Sequence, residues 1–325
     1  MSSVQSVQNL THEDNSLQAL KSRVIQDALA RCKSDKTLCE QFLTAYYRNL
    51  NTDDVLLTNA ETSQAHQNII DDLAGMALHH FDLLKSYNRQ SPNIAVFNPN
   101  VETHQFHSSH SVIQMVAIDR PFLVDTVLMS LEKQGVNVHR LFHTIIKVDW
   151  QDEQGNGIDA IRTADDSDSR YVSLIHCEID RQLEADLTDI QDLLMQKVQV
   201  LDTVTGDWEA MRAKLSAIKD EMANADLSEL DTLYDADEVK AFLEWILDDN
   251  FIFLGYREYR LQFEDGEKDV GESVPDLMTV GGSGLGLLGG VNEDARSESF
   301  YGLPNRLKQL LTRPQGLLLS KSSHE

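Results

Sequence analysis

Up to Pro92 the apolar residues of this chain recur every three to four positions; beyond it they alternate, so a helical layer must give way to a sheet at one point. Residues 16–33 place Leu17, Leu20, Val24, Ile25 and Ala28 on one helical stripe. Segments 37–49 and 62–87 continue the pattern, the second through Ile69, Ile70, Leu73, Ala77 and Leu84. Ser91-Pro92 ends it, because proline lacks the backbone donor a helix needs.

After Pro92, Asn93–Phe97 reads as a short strand, and Ser111–Ala117 sets Val112, Gln114 and Val116 opposite Ile113, Met115 and Ala117. A helix is expected next, capped by the Asp119 carboxylate, with Pro121 in its first turn and Leu123, Val124, Val127, Leu128 and Leu131 on its apolar face; Gly135 should end it. Val136–Trp150 is rich in branched and aromatic residues and reads as a strand with Val136, Val138, Phe142, Ile146 and Val148 on one side. Residues 151–157 are expected to turn the chain back, so that Tyr171–Ile179 pairs antiparallel with it, and 183–201 should form a second covering helix through Leu183, Leu187, Ile190, Leu194, Val198 and Leu201.

Strand, helix, strand, strand, helix is most of a ferredoxin-like βαββαβ unit without its last strand. That edge position is expected to be filled by Asn93–Phe97 or by another chain. Beyond it, Trp208–Met222 and Asp237–Leu247 read as helices, Phe251–Phe263 as a strand, 281–290 as a glycine-rich loop and Gln315–Lys321 as a strand begun where the sequence stops, which suggests an end inside a domain. The expected fold is α/β, of the α+β kind. A helical region (1–91) precedes an antiparallel sheet domain (92–202), a helical connector (203–234) and the opening of a second α/β module (235–325).

A length of 325 residues favours two or three compact units over one core. The formal charge of −25 makes nucleic acid and anionic membranes poor partners. Much of the acidity falls in 149–202, with fourteen acidic against four basic side chains, the ordinary composition of a solvated face. Three cysteines (Cys32, Cys39, Cys177) without a CxxC pair suit a reducing compartment, and no run approaches the roughly 18 apolar residues of a membrane span, so a cytoplasmic location is expected.

Two stretches resemble a known family. Ile118-Asp119-Arg120-Pro121-Phe122-Leu123-Val124-Asp125-Thr126, followed by Gly135-Val136-Asn137-Val138-His139, is similar to the N-terminal region of the large NAD-specific glutamate dehydrogenases. So is Ala241 to Tyr259 (AFLEWILDDNFIFLGYREY), with Gly282-Ser283-Gly284-Leu285-Gly286 beyond it. The resemblance implies ACT-type modules ahead of a catalytic domain, beyond Glu325, that oxidises glutamate to 2-oxoglutarate with NAD. It thereby implies no catalytic residue and no cofactor in this stretch. Its partners would be the chain's own catalytic domain and further copies in a homo-oligomer, with a small amino acid as a candidate effector. ACT modules often hold effectors where the first strand meets the first helix, which places candidate effector contacts at Asp119, Arg120, Phe122 and Leu123. The usual glycine after proline is replaced here by Phe122, whose ring would occupy the ligand's space.

Other motifs carry less. Gly284-Leu285-Gly286-Leu287-Leu288-Gly289 has the letters of a dinucleotide fingerprint, but no apolar helical stripe follows it, so a turn is expected. His104, His107 and His110 are spaced three apart but fall between strands, without a nearby cysteine, and read as loop residues; no metal site is expected. His139, His143 and His176 lie on expected strands, and Cys177 on an apolar strand face. Two other readings remain open: a free-standing amino-acid sensor, and a module serving only subunit contacts.

Overall fold

A computed structural model of the chain describes residues 2–50, 63–152, 157–163, 171–224, 236–262, 276–290 and 295–296. They fall into two compact units, 1–201 and 202–325. The predicted strand at Gln315–Lys321 lies outside the described residues.

The first unit is built on a five-stranded antiparallel sheet of β1 (Asn93–Phe97), β2 (Ser111–Ile118), β3 (Val138–Trp150), β4 (Ile158–Thr163) and β5 (Tyr171–Ile179). Their spatial order is β1-β2-β5-β3-β4. β2, β5 and β3 are the interleaved strands of a ferredoxin-like unit, and β1 pairs antiparallel with β2 at the edge its last strand would take. The missing strand therefore comes from the chain itself, ahead of the unit.

Helices cover both faces. α1 (Ser2–Arg31), α2 (Lys36–Tyr46) and α3 (Ser63–Lys85) bury Val24, Phe42, Tyr46 and Phe81 against Val116, Phe142, Ile146 and Leu174. On the other face, α5 (Leu123–Lys133) and α6 (Leu187–Gly206) bury Val127, Leu131, Leu194 and Val198 against Ile113, Met115, Ile175 and Cys177. The central strands β2 and β5 are buried on both sides, which is why alternate residues along each are all apolar or internally hydrogen-bonded. Burial of this kind stabilises by about 25 cal/mol per Å² of apolar surface.

Several expectations need correcting. β3 begins at Val138, and a bulge between Val138 and Arg140 reverses the alternation, so Val136 and Val138 join the α5/α6 face whereas Phe142, Ile146 and Val148 face α1–α3. The polar stretch 151–157, described only at 151–152 and 157, is followed by an unforeseen strand, β4, before β5. Its apolar residues Ile158 and Ile161 are three apart because β4 itself carries an extra residue, Asp159, opposite Asp149/Trp150, and that spacing hid it from a period of two. α6 starts at Leu187, leaving Leu183 73% exposed ahead of it. Gly135 does end α5: at φ +71° it lets its own N–H reach Glu132 O (2.8 Å) and that of Val136 reach Leu131 O (3.0 Å).

A short helix α4 (Val101–His104) follows β1 and ends at Gln105, whose φ is +63°. The loop after it lies on α3 at Gly75. A Cβ there would stand 2.2 Å from Gln105 O, so only glycine permits the approach. Arg31 secures the loop, with one guanidinium nitrogen on Asp71 O and the other on Gln105 O.

In the second unit, α7 (Trp208–Asn224) and α8 (Ala236–Trp245) accompany β7 (Tyr259–Gln262), β8 (Asp276–Thr279) and β10 (Ala295–Arg296), ordered β10-β8-β7, and a two-stranded pair of β6 (Gly255–Tyr256) with β9 (Leu285–Gly286). The long strand expected at Phe251–Phe263 is instead two short ones, β6 and β7, paired to different sheets. Phe251, Ile252 and Leu254 precede them outside any strand and are half exposed.

Gly75→Ala is expected to lower unfolding stability by about 1–3 kcal/mol through overpacking against the Gln105 carbonyl, read from urea unfolding curves.

Candidate functional site

The corner between β2 and α5 holds the four residues singled out as effector contacts. Asp119 does not cap the helix. Its backbone N–H donates to Tyr171 O (2.8 Å), which ties the corner to β5. The N-cap residue is Phe122, without any side-chain cap hydrogen bond, so the helix starts three residues later than a capping carboxylate at Asp119 requires. Phe122 occupies the left-handed region at φ +66°, a conformation natural to glycine, and its side chain is 46% exposed instead of filling the corner. Arg120 turns its Nε back to Ile118 O (3.3 Å), and Leu123 is buried in the α5/α6 core.

The 284–289 glycines form tight turns around β9. Gly286 sits at φ +57°, its N–H donates to Asp207 Oδ2 (2.7 Å), and a Cβ at Gly284 would meet Leu288 O at 2.2 Å. This loop closes on its own backbone, and the residues that follow it up to 290 form no helix. Among the described residues no cluster of His, Cys, Asp and Glu is arranged to hold a metal ion, and no helix is long and apolar enough to cross a membrane. His104 stands in the one-turn α4, stacked on Phe97 at 4.4 Å between centroids. His139 bonds Asp180 (2.6 Å), His143 bonds Ser173 Oγ (2.6 Å), and Cys177 is fully buried, its thiol pushed up to about 12 by desolvation.

The chemically dense region lies elsewhere, where α3 crosses the sheet. Gln114 and His176 project from β2 and β5 into the α1–α3 interface and are wholly buried. His79 Nδ1 donates to Gln114 Oε1 (2.6 Å); Gln114 Nε2 donates to Met76 O (3.0 Å) and faces His176 Nδ1 (3.2 Å). Beside them the Tyr46 hydroxyl donates to His80 Nδ1 (3.0 Å), leaving His80 Nε2 to donate to Met115 O (3.1 Å). Both partners thus fit a neutral His80 ring, and desolvation lowers its pKa to about 3.

His176 Nε2 has no hydrogen-bond partner. It stands 3.9 Å from Glu178 Oε1, beyond bonding range, and acts on that carboxylate through its field. Glu178 Oε1 also receives Arg140 Nη1 (3.1 Å), and Glu178 Oε2 faces Ser108 Oγ and His110 Nδ1, each at 3.3 Å. Burial alone raises the Glu178 carboxyl, but His176, Arg140 and Ser108 outweigh it and hold it at about 2. This group borders a cavity of about 370 Å³ between α3, the loop after α4, and strands β3 and β5. Ile69, Leu73, Met76 and Phe106 form its apolar wall, while Asp72, Arg140 and Glu178 bring charge to it.

With that geometry in view, the similarities to known proteins can be placed on it. Residues 42–194 match the family described as "Glutamate dehydrogenase, ACT1 domain". Two curated relatives are both called NAD-specific glutamate dehydrogenase. That from Halomonas elongata is 32% identical over 200 residues, covering 61% of this chain and 12% of the relative; that from Pseudomonas aeruginosa is 28% identical over 304 residues, covering 92% and 18%. The chain spans less than a fifth of the length of these relatives.

The matched stretch runs from inside α2 to inside α6, so it contains both the β2–α5 corner and the cavity. Sequence reasoning named the corner and missed the cavity, whose charged residues come from three separate elements. The one visible signal was Glu178, a carboxylate inside a mostly apolar strand.

Two outcomes are expected. Phe122→Gly should preserve the fold and raise stability by about 1 kcal/mol, because it removes left-handed strain from a half-exposed side chain; thermal unfolding measures it. Neutral His80 contributes stability that is full above about pH 6.5 and is lost as pH falls toward 3, since the unfolded ring gains a proton that the folded one refuses. From pH 7 to pH 5 this amounts to about 2 kcal/mol, and in urea titrations His80→Gln should remove about one proton from the pH slope.

Proposed function

We propose that this chain is the N-terminal regulatory and assembly region of a large NAD-specific glutamate dehydrogenase, whose catalytic domain lies beyond residue 325. That domain would convert L-glutamate and NAD to 2-oxoglutarate, ammonium and NADH. The observation that carries this reading is the ACT1 match over 42–194 together with a similarly named relative aligned along 92% of the chain. The described residues offer a folded scaffold with no reactive triad; the 284–289 loop closes on itself, so NAD is assigned to the catalytic domain and not to this region.

In this role the sheet domain carries signals to the catalytic domain and takes part in contacts between copies of the polypeptide in a cytoplasmic homo-oligomer. A small amino acid is the effector class, with the Asp119–Leu123 corner as one position for it. Coupling then requires that the effector prefer one of two states of the assembly.

The test is expression of the complete open reading frame. The full-length protein is expected to form NADH from glutamate, and residues 1–325 alone are expected to form none. A frame that stops at Glu325, with an amino acid bound by the product, would instead favour a free-standing sensor. Deleting residues 1–201 from the full-length enzyme should alter oligomer size in sedimentation or the response to amino acids; a deletion without effect on either would remove the regulatory role.

A further inference from the structure

We propose that the cavity between α3, the loop after α4, and strands β3 and β5 is a binding site for a free α-amino acid with a small apolar side chain, distinct from the β2–α5 corner. The inference deepens the regulatory role set out above and rests on it only for its biological meaning.

The argument starts from charges left incomplete around one half-open cavity. Arg140 spends one guanidinium nitrogen on Glu178, and its other N–H groups make no hydrogen bond among the described residues. They are available to a carboxylate in the fork geometry that guanidinium favours. Asp72 accepts one hydrogen bond, from the backbone N–H of His107 (2.8 Å), and among the described residues no lysine or arginine pairs with it. Burial raises its carboxyl above the usual range, as expected for an anion short of a cation. An ammonium group supplies that cation.

Glu178 contributes a second negative charge, so two carboxylates face one guanidinium at the cavity, and a ligand bearing only an anion is disfavoured. Between the charges stands the wall of Ile69, Leu73, Met76 and Phe106, of which the last three are nearly inaccessible to solvent, and it suits a short hydrocarbon side chain. The volume of about 370 Å³ lies at the small end of ligand sites.

A second observation points the same way. His176 is 0% exposed and its Nε2 is unpartnered, directed at the Glu178 carboxylate that borders the cavity. Buried donors without partners are rare in native folds and each calls for an explanation. Here the ring, oriented by Gln114, helps keep the Glu178 carboxyl ionised, and Glu178 in turn accepts from Arg140. Gly75 and Arg31 keep the loop that closes the cavity against α3.

The test uses the full-length protein and L-valine as probe, with isobutylamine and 3-methylbutanoate as the same skeleton lacking one charge. Calorimetric titration is expected to show L-valine binding, with each analogue at least tenfold weaker. Asp72→Asn should weaken L-valine at least tenfold, and Arg140→Gln should erase the preference for L-valine over isobutylamine, while Arg120→Ala at the corner leaves binding unchanged. Circular dichroism establishes that each variant is folded, and Ser108→Ala, which keeps all three charges, should retain binding within a few fold. No L-valine binding, isobutylamine binding as well as L-valine, or a loss caused by Arg120→Ala but not by Asp72→Asn would overturn the site. Glutamate-dependent NADH formation is measured on the same preparation: its absence counts against the parent dehydrogenase and not against the cavity, and its presence without L-valine binding counts against the cavity alone.

Discussion

The first unit depends on burying both faces of its two central strands. β2 and β5 lie side by side, with α1–α3 on one face and α5 and α6 on the other. A ferredoxin-like sheet normally leaves one face free; here the N-terminal helices take it. This removes Val112, Val116, Val172 and Leu174 from water along with Ile113, Met115, Ile175 and Cys177. Hydrophobic burial on two sides is the dominant favourable contribution for a sheet of this size.

That arrangement has a consequence for the polar residues on the same strands. Gln114 and His176 cannot reach solvent once α3 lies over them, so each needs a partner inside the interface. The chain from His79 through Gln114 to His176 supplies most of them and also sets the register of α3 on the sheet, because only one placement brings Met76 O and Gln114 Nε2 together. Where the chain of bonds ends, at His176 Nε2, the protein keeps an unsatisfied donor beside an ionised carboxylate. The cost is local, and it concentrates field at the Glu178 end of the seam, where Arg140, His110 and Ser108 converge.

Much of the fold was legible in the residues. The change of period at Pro92, the alternation of β2 and β5, the Gly135 stop and the pairing of β3 with β5 all follow from local patterns, and β1 at the open edge follows from counting strands. β4 was missed because a bulge at its own Asp159 breaks the period of two, and the long strand at 251–263 was misread because its hydrophobic residues are not alternating partners of one neighbour. At the corner, Asp119 has the composition of a cap without the position, since Phe122 takes a left-handed turn that chemistry alone assigns to glycine.

By itself the sequence determined the layer types, the antiparallel sheet and the family resemblance, because each depends on residues close together along the chain. Only the tertiary structure decided that Asp72, Arg140 and Glu178 share a cavity, and that His176 lacks a partner there. Those residues stand on a helix and two strands, brought together by the crossing of α3 over the sheet, and no local pattern records a distance across an interface.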